Sequence, residues 1–139
     1  MRYYLDTNML LFILSENKDD ISIPVAGILS DYSNQFFTSS VCITELIFLH
    51  KNGKVKFKRY KSELDILREL TDTYGIDTVY FNRYHLAVYT NLKIIEGHKD
   101  PNDHAIIAQA ISDKIPLISS DTKFKDYISQ NLDFVFNKR

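Results

Sequence analysis

Two hydrophobic patterns alternate along the chain. Short apolar runs, which are typical of buried strands, separate longer stretches in which apolar residues recur every three or four positions, as in amphipathic helices. The predicted strands cover 2–5, 35–40, 76–81, 115–121 and 133–137. The predicted helices cover 7–16, 22–33, 41–52, 57–75, 83–97, 101–114 and 122–129.

The alternation of strands and helices predicts the α/β class, with a central parallel sheet and helices on both faces. No repeat, low-complexity tract or Pro/Gly-rich linker interrupts the pattern, so we expect residues 1–139 to form a single domain. In sheets of this kind, ligand sites form beyond the carboxyl ends of the strands. Polar residues that directly follow a predicted strand are therefore the candidates for a functional site.

Local signals predict where some helices begin and end. Thr7 or Asn8 is placed to cap the first helix, because both side chains can accept from backbone N–H groups. Gly75 is placed to end the helix 57–75, since glycine adopts the left-handed conformation of a helix stop. The predicted apolar stripe of that helix consists of Leu64, Leu67 and Leu70.

Composition narrows the class of protein. The chain has 139 residues and a net charge of −1, so any attraction to a polyanion must come from a local basic patch or a metal. Its one cysteine, Cys42, gives no disulfide framework or cysteine-based zinc site, which makes a reducing cytoplasm the expected location. We expect Cys42 to be a small buried hydrophobe. No apolar run approaches the roughly 20 residues that span a bilayer, so we expect no membrane segment.

Four carboxylates are candidates for one site. Asp6 and Asp121 end predicted strands and Asp103 lies in a first helical turn, which places all three at the same edge of the sheet. Glu45 lies within the apolar helix 41–52, where an unpaired buried charge is costly. Each acid also has a structural interpretation: helix cap, turn residue, favourable charge at a helix N-terminus or partner of a core cation.

Taken together, the four acids point to a cation. Two like charges about 4 Å apart repel by about 4 kcal/mol at an effective dielectric constant of about 20. A cluster of carboxylates therefore needs protons or cations to neutralise it. Hard divalent cations such as Mg²⁺ and Mn²⁺ suit sites made of oxygen ligands. The chemistry that best matches acids and such a cation is phosphodiester hydrolysis by a metal-activated water.

Four stretches carry a resemblance to a known family. They are "YLDTNMLL", "SSVCITELIFL", "DPNDHAIIAQA" and "LISSDTKF", in that order. In order and approximate spacing they resemble the PIN domain, in particular the VapC-type ribonuclease toxins of bacterial toxin–antitoxin pairs. The resemblance implies a three-layer α/β/α sandwich, metal-dependent RNA cleavage, a small antitoxin partner and a homodimer.

The resemblance also assigns roles to residues. The catalytic and metal-binding acids would be Asp6, Glu45, Asp103 and Asp121. Asn8 and Ser119 match small polar positions that help to hold acids and waters. Asp100 would fix the turn before Pro101, with a supporting role at the site. His104 stands where this subgroup usually has Arg, which makes the charge there pH-dependent; the interpretation we favour for it is a solvent-facing helix residue.

A basic segment, residues 51–61, offers a second candidate surface. Its RNA-binding candidates are Lys54, Lys56, Lys58 and Arg59. Interleaved Phe57 and Tyr60 could stack on bases while the cations follow the phosphates. The interpretation we favour is a solvated loop and helix start whose aromatic rings pack inward; an acidic protein partner is a third option.

Three functions compete. The first is a Mg²⁺- or Mn²⁺-dependent endoribonuclease with an RNA substrate. The second is a phosphatase acting through an aspartyl phosphate on Asp6, for which Asn8 is a poor fit because that chemistry needs an acid two residues after the nucleophile. The third is a PIN-like scaffold that binds RNA or protein without cutting it; the complete acid set argues against it.

Overall fold

Five parallel strands form the centre of the structure, a computed structural model that describes residues 1–139. The strands are β1 (Arg2–Leu5), β2 (Gln35–Ser39), β3 (Ile76–Val79), β4 (Leu117–Ser119) and β5 (Phe134–Phe136). The helices are α1 (Thr7–Leu14), α2 (Ile23–Ser30), α3 (Ser40–Lys51), α4 (Glu63–Asp72), α5 (Arg83–Asn91) and α6 (Pro101–Asp113). Two 3₁₀ helices cover Lys18–Asp20 and Thr122–Gln130. The predicted α/β class is confirmed.

The strand order, β3-β2-β1-β4-β5, places the first strand in the middle of the sheet. The chain moves outward from β1 through β2 to β3 and then crosses to β4 on the other side. In open parallel sheets the ligand crevice lies at such a change of direction, here between β1 and β4. The register pairs Leu5 with Ile118, so the residues that follow them, Asp6 and Ser119, lie side by side.

Helices cover both faces of the sheet because side chains of successive strand residues point in opposite directions. Tyr4 is fully buried on one face, where its hydroxyl donates to Asp113 and accepts from Gln109, both in α6. Leu5 lies on the other face and lines a cavity with Phe12 and Ile13 of α1. The sheet is thus the middle layer of the three-layer sandwich. None of the helices combines the length and apolar character needed to cross a membrane.

The helix predicted over 57–75 is wrong in its first part. Residues 57–62 are not helical, and α4 begins after Ser62, whose side chain caps it by accepting from the Asp65 backbone N–H. Phe57 and Tyr60 are buried in the core. Both aromatic residues are therefore apolar because they belong to a loop that packs inward. Their spacing in the sequence resembles that of a helix, although the segment is not helical.

The apolar face of α4 also differs from the predicted stripe. Leu64 is 56% exposed, whereas Ile66 and Leu70 are each 2% exposed and belong to the core cluster. The buried face of α4 is centred on Ile66 and Leu70, so of the predicted stripe Leu70 faces the core and Leu64 faces water.

The helix predicted over 83–97 ends early, at Asn91. Leu92 has an extended backbone, and the N–H of Ile95 donates to the hydroxyl of Tyr127 at 3.1 Å. This contact draws the chain away from a helical path. The segment 92–100 instead forms a loop that returns to the N-terminus of α6.

Three smaller differences concern element ends. Asp6 caps α1, in place of the predicted Thr7 or Asn8, because its carboxylate accepts from the Thr7 backbone N–H. β4 begins at Leu117 since the N–H of Ile115 still bonds to the last turn of α6. The segment after Asp121 is a 3₁₀ helix and not an α-helix.

Candidate functional site

Asp6 is the most enclosed acid at the carboxyl edge of the sheet, with 5% exposure. One carboxylate oxygen, Oδ1, accepts from the Thr7 backbone N–H at 2.8 Å. The other, Oδ2, accepts from the Ser119 hydroxyl at 2.7 Å and from the Asn8 amide at 3.3 Å. Donors from β4 and α1 therefore hold this carboxylate from several sides.

Asn8 and Ser119 also connect the ends of β1 and β4. The Asn8 amide donates to Ser119 Oγ at 3.1 Å, and its oxygen accepts from the Ser120 backbone N–H at 3.2 Å. The backbone N–H of Asp121 donates to the same Ser119 oxygen at 3.1 Å. Both residues lie next to Asp6.

Glu45 and Asp121 approach from two further elements. Glu45, half-buried on α3, accepts from the Asn102 amide at the start of α6, at 3.2 Å. Asp121, also half-buried, caps the following 3₁₀ helix by accepting from the Lys123 backbone N–H at 2.9 Å. The carboxylates of Glu45 and Asp121 make these bridging and capping contacts and also face the site.

Asp100 and Asp103 have separate tasks at the N-terminus of α6. Exposed Asp100 is the N-cap and accepts from the Asn102 backbone N–H at 2.9 Å, in the turn before Pro101. Asp103 lies one turn further and is half-buried, with a carboxylate oxygen within 4.8 Å of a ligand atom of Asp121.

His98 is a site residue that the sequence analysis missed. It is buried in the loop before α6, with 3% exposure, and its Nε2 lies 3.0 Å from Asp103 Oδ2. One ligand atom from each of His98, Asp103 and Asp121 lies within 4.8 Å of the others. The available signal was its place two residues before the Asp-Pro turn, but no periodicity singles out a loop histidine.

The predicted solvent-facing position of His104 is wrong. His104 is 5% exposed, and its Nε2 lies 2.9 Å from the carbonyl oxygen of His98. Its ring packs edge-to-face against the His98 ring, with centroids 4.7 Å apart. Burial lowers the pKa of both imidazoles, which favours their neutral forms.

Burial and nearby charges both affect the pKa of Asp6. Burial raises the pKa of Asp6 from 3.8 to about 7; the hydrogen bond from Ser119 lowers it, and the charges of Asp103 and Glu45 raise it. The buried Cys42 thiol lies 3.9 Å from Asp6 Oδ1, and burial followed by the Asp6 charge raises its pKa. Cys42 is therefore the small buried residue that was predicted.

Asp103 shows the same effect. Its pKa is raised from 3.8 to about 7, first by burial and then by the charges of Asp100, Asp121 and Glu45, while Lys123 acts to lower it. Charge interactions thus link Asp6, Glu45, Asp103 and Asp121, the acid cluster, and within it Asp103 and Asp121 have ligand atoms within 4.8 Å of each other and of His98. Oxygen ligands with raised proton affinity are the donor set that fits a hard divalent cation, which neutralises the repulsion.

The basic segment lies at a different place. Arg59 pairs with Glu16, which follows the C-terminal end of α1, whereas Asp6 is at the N-terminal end of that helix. The buried rings of Phe57 and Tyr60 pack edge-to-face and expose no ring face on which a base could stack. RNA binding by Lys54, Lys56, Lys58 and Arg59 stays a prediction.

Solved structures share this fold. VapBC2 from Rickettsia felis, bound to a DNA fragment from their promoter, matches with a TM-score of 0.73 and 23% identity over 99% of this chain and 100% of that one. VapBC-1 from nontypeable Haemophilus influenzae gives 0.64 and 20%, over 98% of each chain. FitAcB from Neisseria gonorrhoeae gives 0.58 and 19%, over 97% and 96%.

No curated protein matches the chain. The family model described as the PIN domain does match, over residues 3–128. This range includes all of β2, β3 and β4 and most of β1, but not β5. The chain belongs to the PIN domain family.

Proposed function

We propose that this protein is a divalent-metal-dependent endoribonuclease, the toxin of a toxin–antitoxin pair. The observation that carries the proposal is the acidic site where ligand atoms of His98, Asp103 and Asp121 lie within 4.8 Å of one another, with Glu45 and Asp6 near enough for their charges to interact with Asp103. Membership of the PIN family and the VapBC and FitAcB neighbours support it.

In this proposal the four acids hold Mg²⁺ or Mn²⁺. When bound, such a cation lowers the pKa of a water molecule and neutralises charge on a phosphodiester. Ser119 and Asn8 orient the Asp6 carboxylate through their hydrogen bonds, and Asn102 orients Glu45. The Asp-Pro turn capped by Asp100 sets the first turn of α6, from which Asp103 projects.

The phosphatase alternative gains nothing from this geometry. The residue two positions after Asp6 is Asn8, and its amide donates to Asp6 at 3.3 Å. An amide cannot act as the general acid that an aspartyl-phosphate mechanism needs.

The test is RNA cleavage by the purified protein with Mn²⁺ or Mg²⁺. We expect D6N and D103N to lose at least about a hundredfold of the activity, because each removes a charged ligand of the cation that activates water and neutralises the phosphate. D77N is the matched control, since Asp77 is exposed on edge strand β3. Undiminished cleavage by either site variant, or by the wild type in EDTA, contradicts the proposal.

An antitoxin partner is proposed from the same neighbours, whose solved structures are VapBC and FitAcB complexes. Expression of the chain alone is expected to arrest bacterial growth, and co-expression of the product of the adjoining reading frame is expected to restore it. Growth arrest that persists in the D6N variant would separate toxicity from cleavage. A homodimer and a cytoplasmic location are part of the proposal.

A further inference from the structure

We propose that His98 is a positioning residue whose Nε2–H donates to Asp103 and turns that carboxylate toward the cation site. The inference deepens the proposed function and rests on it. It concerns a residue outside the four acids, and it assigns both the hydrogen bond and the tautomer of the imidazole.

The tautomer follows from Tyr127. The Ile95 backbone N–H donates to the Tyr127 hydroxyl oxygen at 3.1 Å, and that hydroxyl lies 2.8 Å from His98 Nδ1. The hydroxyl therefore directs its own hydrogen at Nδ1, which accepts. In a neutral imidazole the other nitrogen then carries the proton, and here it lies 3.0 Å from Asp103 Oδ2.

Asp103, like Glu45, has a single side-chain donor, and that donor is His98. Asp6 accepts from a backbone N–H, a hydroxyl and an amide. Asp121 is held by the Lys123 backbone N–H, which no side-chain change removes. Asp103 has His98 alone, and the hydrogen bond to Oδ2 leaves Oδ1 without a donor and available to a cation.

The imidazole is itself held rigidly. Its ring contacts the rings of Tyr127 and His104, with centroid distances of 5.3 Å and 4.7 Å. His104 Nε2 lies 2.9 Å from the His98 carbonyl oxygen and fixes the backbone that carries the ring. This contact gives His104 a structural purpose at the position next to Asp103: it secures the loop whose histidine in turn secures Asp103.

A direct His98–metal bond is the competing interpretation, since His98 Nε2 lies within 4.8 Å of ligand atoms of Asp103 and Asp121. That bond requires an unprotonated Nε2 and therefore a proton on Nδ1. Tyr127 would then accept from both Ile95 and His98, and its own hydrogen would have no acceptor among its hydrogen-bonded neighbours. A buried hydroxyl hydrogen without an acceptor is unfavourable, so the donor role is favoured.

The first experiment uses the metal-free wild-type protein. Long-range ¹H–¹⁵N NMR spectra distinguish the two tautomers of a neutral histidine, and H98Q identifies the signals of His98. We expect the Nε2–H tautomer. The Nδ1–H tautomer overturns the inference, and this result does not depend on whether the protein cuts RNA or binds metal.

The second experiment measures Mn²⁺ affinity by calorimetry in a matched pair of variants. H98Q keeps an N–H at the Nε2 position and can still donate to Asp103, whereas H98N keeps only a group on the Nδ1 side, facing Tyr127. We expect H98Q to bind Mn²⁺ within about threefold of the wild type and H98N to bind about tenfold more weakly, as for other residues that orient metal ligands. Equal affinity in both variants overturns the inference.

Electron spin echo spectra of the Mn²⁺-loaded wild type decide between donor and ligand. The donor role predicts no ¹⁴N coupling from a directly bound imidazole. A ¹⁴N coupling that disappears in H98Q overturns the inference while leaving the proposed function intact. Wild-type protein that does not bind Mn²⁺ contradicts the proposed function instead, so the two failures are distinguishable.

Discussion

Ser119 controls the charge of Asp6 more directly than any other side chain. Its hydroxyl is fully buried and donates to Asp6 Oδ2 at 2.7 Å, and this bond opposes the rise in pKa that burial causes. A hydrogen bond donated to a carboxylate favours the ionised form. The serine thus keeps Asp6 closer to the charge state that a cation requires.

The variant S119A tests this. We expect the pKa of Asp6 in the metal-free protein to rise above about 7, because the stabilising donor is lost while burial remains. The measurement is a ¹³C NMR titration of the Asp6 carboxyl carbon. S33A, at an exposed turn, serves as control. A pKa that stays the same or falls in S119A contradicts this reasoning.

Two of the four acids, Asp6 and Asp121, could be placed at one edge of the sheet from the sequence because they follow predicted strands, whereas Glu45 and Asp103 lie in helices. Asp6 and Asp121 follow apolar runs, and parallel strands bring such positions to one edge. His98 and His104 could not be assigned in this way. Their burial comes from a loop between α5 and α6 whose path depends on Tyr127, a contact that no local pattern encodes.

The N-terminus of α6 combines a structural and a chemical acid within one turn. Asp100 closes the helix end by accepting from the Asn102 backbone N–H, and Asp103 faces the acid cluster. Pro101 between them has no N–H to satisfy and suits the first helical position. Asp100 and Asp103 should therefore respond differently to substitution.

We expect D100A to lower the free energy of unfolding by about 1 kcal/mol, since an N-cap is lost. D100N should stay close to the wild type, because asparagine caps as well as aspartate does. Urea unfolding of the metal-free proteins provides the measurement. If D100N loses as much stability as D100A, the charge of Asp100 and not its role as an N-cap accounts for the stability that is lost.

A buried polar network joins β1 to α5 and α6. The Tyr4 hydroxyl donates to Asp113 and accepts from Gln109 at 3.2 Å. His85 accepts from the Asn82 backbone N–H through Nδ1, so its Nε2–H can donate to Asp113 at 2.9 Å. Burial, followed by the bond to Asp113, raises the pKa of Tyr4, which keeps the phenol protonated as a donor.

The variant Y4F is expected to lower the free energy of unfolding by about 1–3 kcal/mol, because it removes a hydrogen-bonding group from a buried network. Y32F is the matched control, since Tyr32 is fully exposed and should tolerate the change. Urea unfolding of both variants gives the comparison. Equal stability of Y4F and the wild type would show that Asp113 and Gln109 find other partners.

Element types were predictable and their ends were less so. β1 has the predicted bounds, whereas β4 is shorter than its apolar run because Ile115 still bonds to the preceding helix. The helix predicted over 57–75 was too long because Phe57 and Tyr60 pack into the core from a loop. Apolar residues at helical spacing indicate buried positions, but buried residues can also belong to a loop.

The acid cluster links the stability of the whole protein to pH. The folded-state pKa of Asp6 and of Asp103 is about 7, above the ordinary 3.8, so the folded protein binds more protons than the unfolded chain between these values. Stability from these two acids is therefore lost as the pH rises from about 4 to 8. The lowered pKa of His98 and of His104 acts in the opposite sense.

A comparison of wild type and D6N isolates the carboxylate effect, because both proteins keep the histidines. In EDTA, we expect D6N to unfold at a higher temperature than the wild type at pH 8, by about 5 °C, and at a similar temperature at pH 5. Mn²⁺ should stabilise the wild type at pH 8 and have little effect on D6N. A gap between the two proteins that does not grow with pH would contradict the shift assigned to Asp6.

The partnership of Asp6 and Ser119 has a consequence for folding. The two residues are separated by 113 positions, and β1 gains its second neighbour only when β4 has been synthesised. Pairing of such distant segments is slow, since a long loop must close before any contact rewards it. During translation, β1 can therefore complete its pairing only after almost the entire polypeptide has been made, and Asp6 meets Ser119 at a late stage of folding.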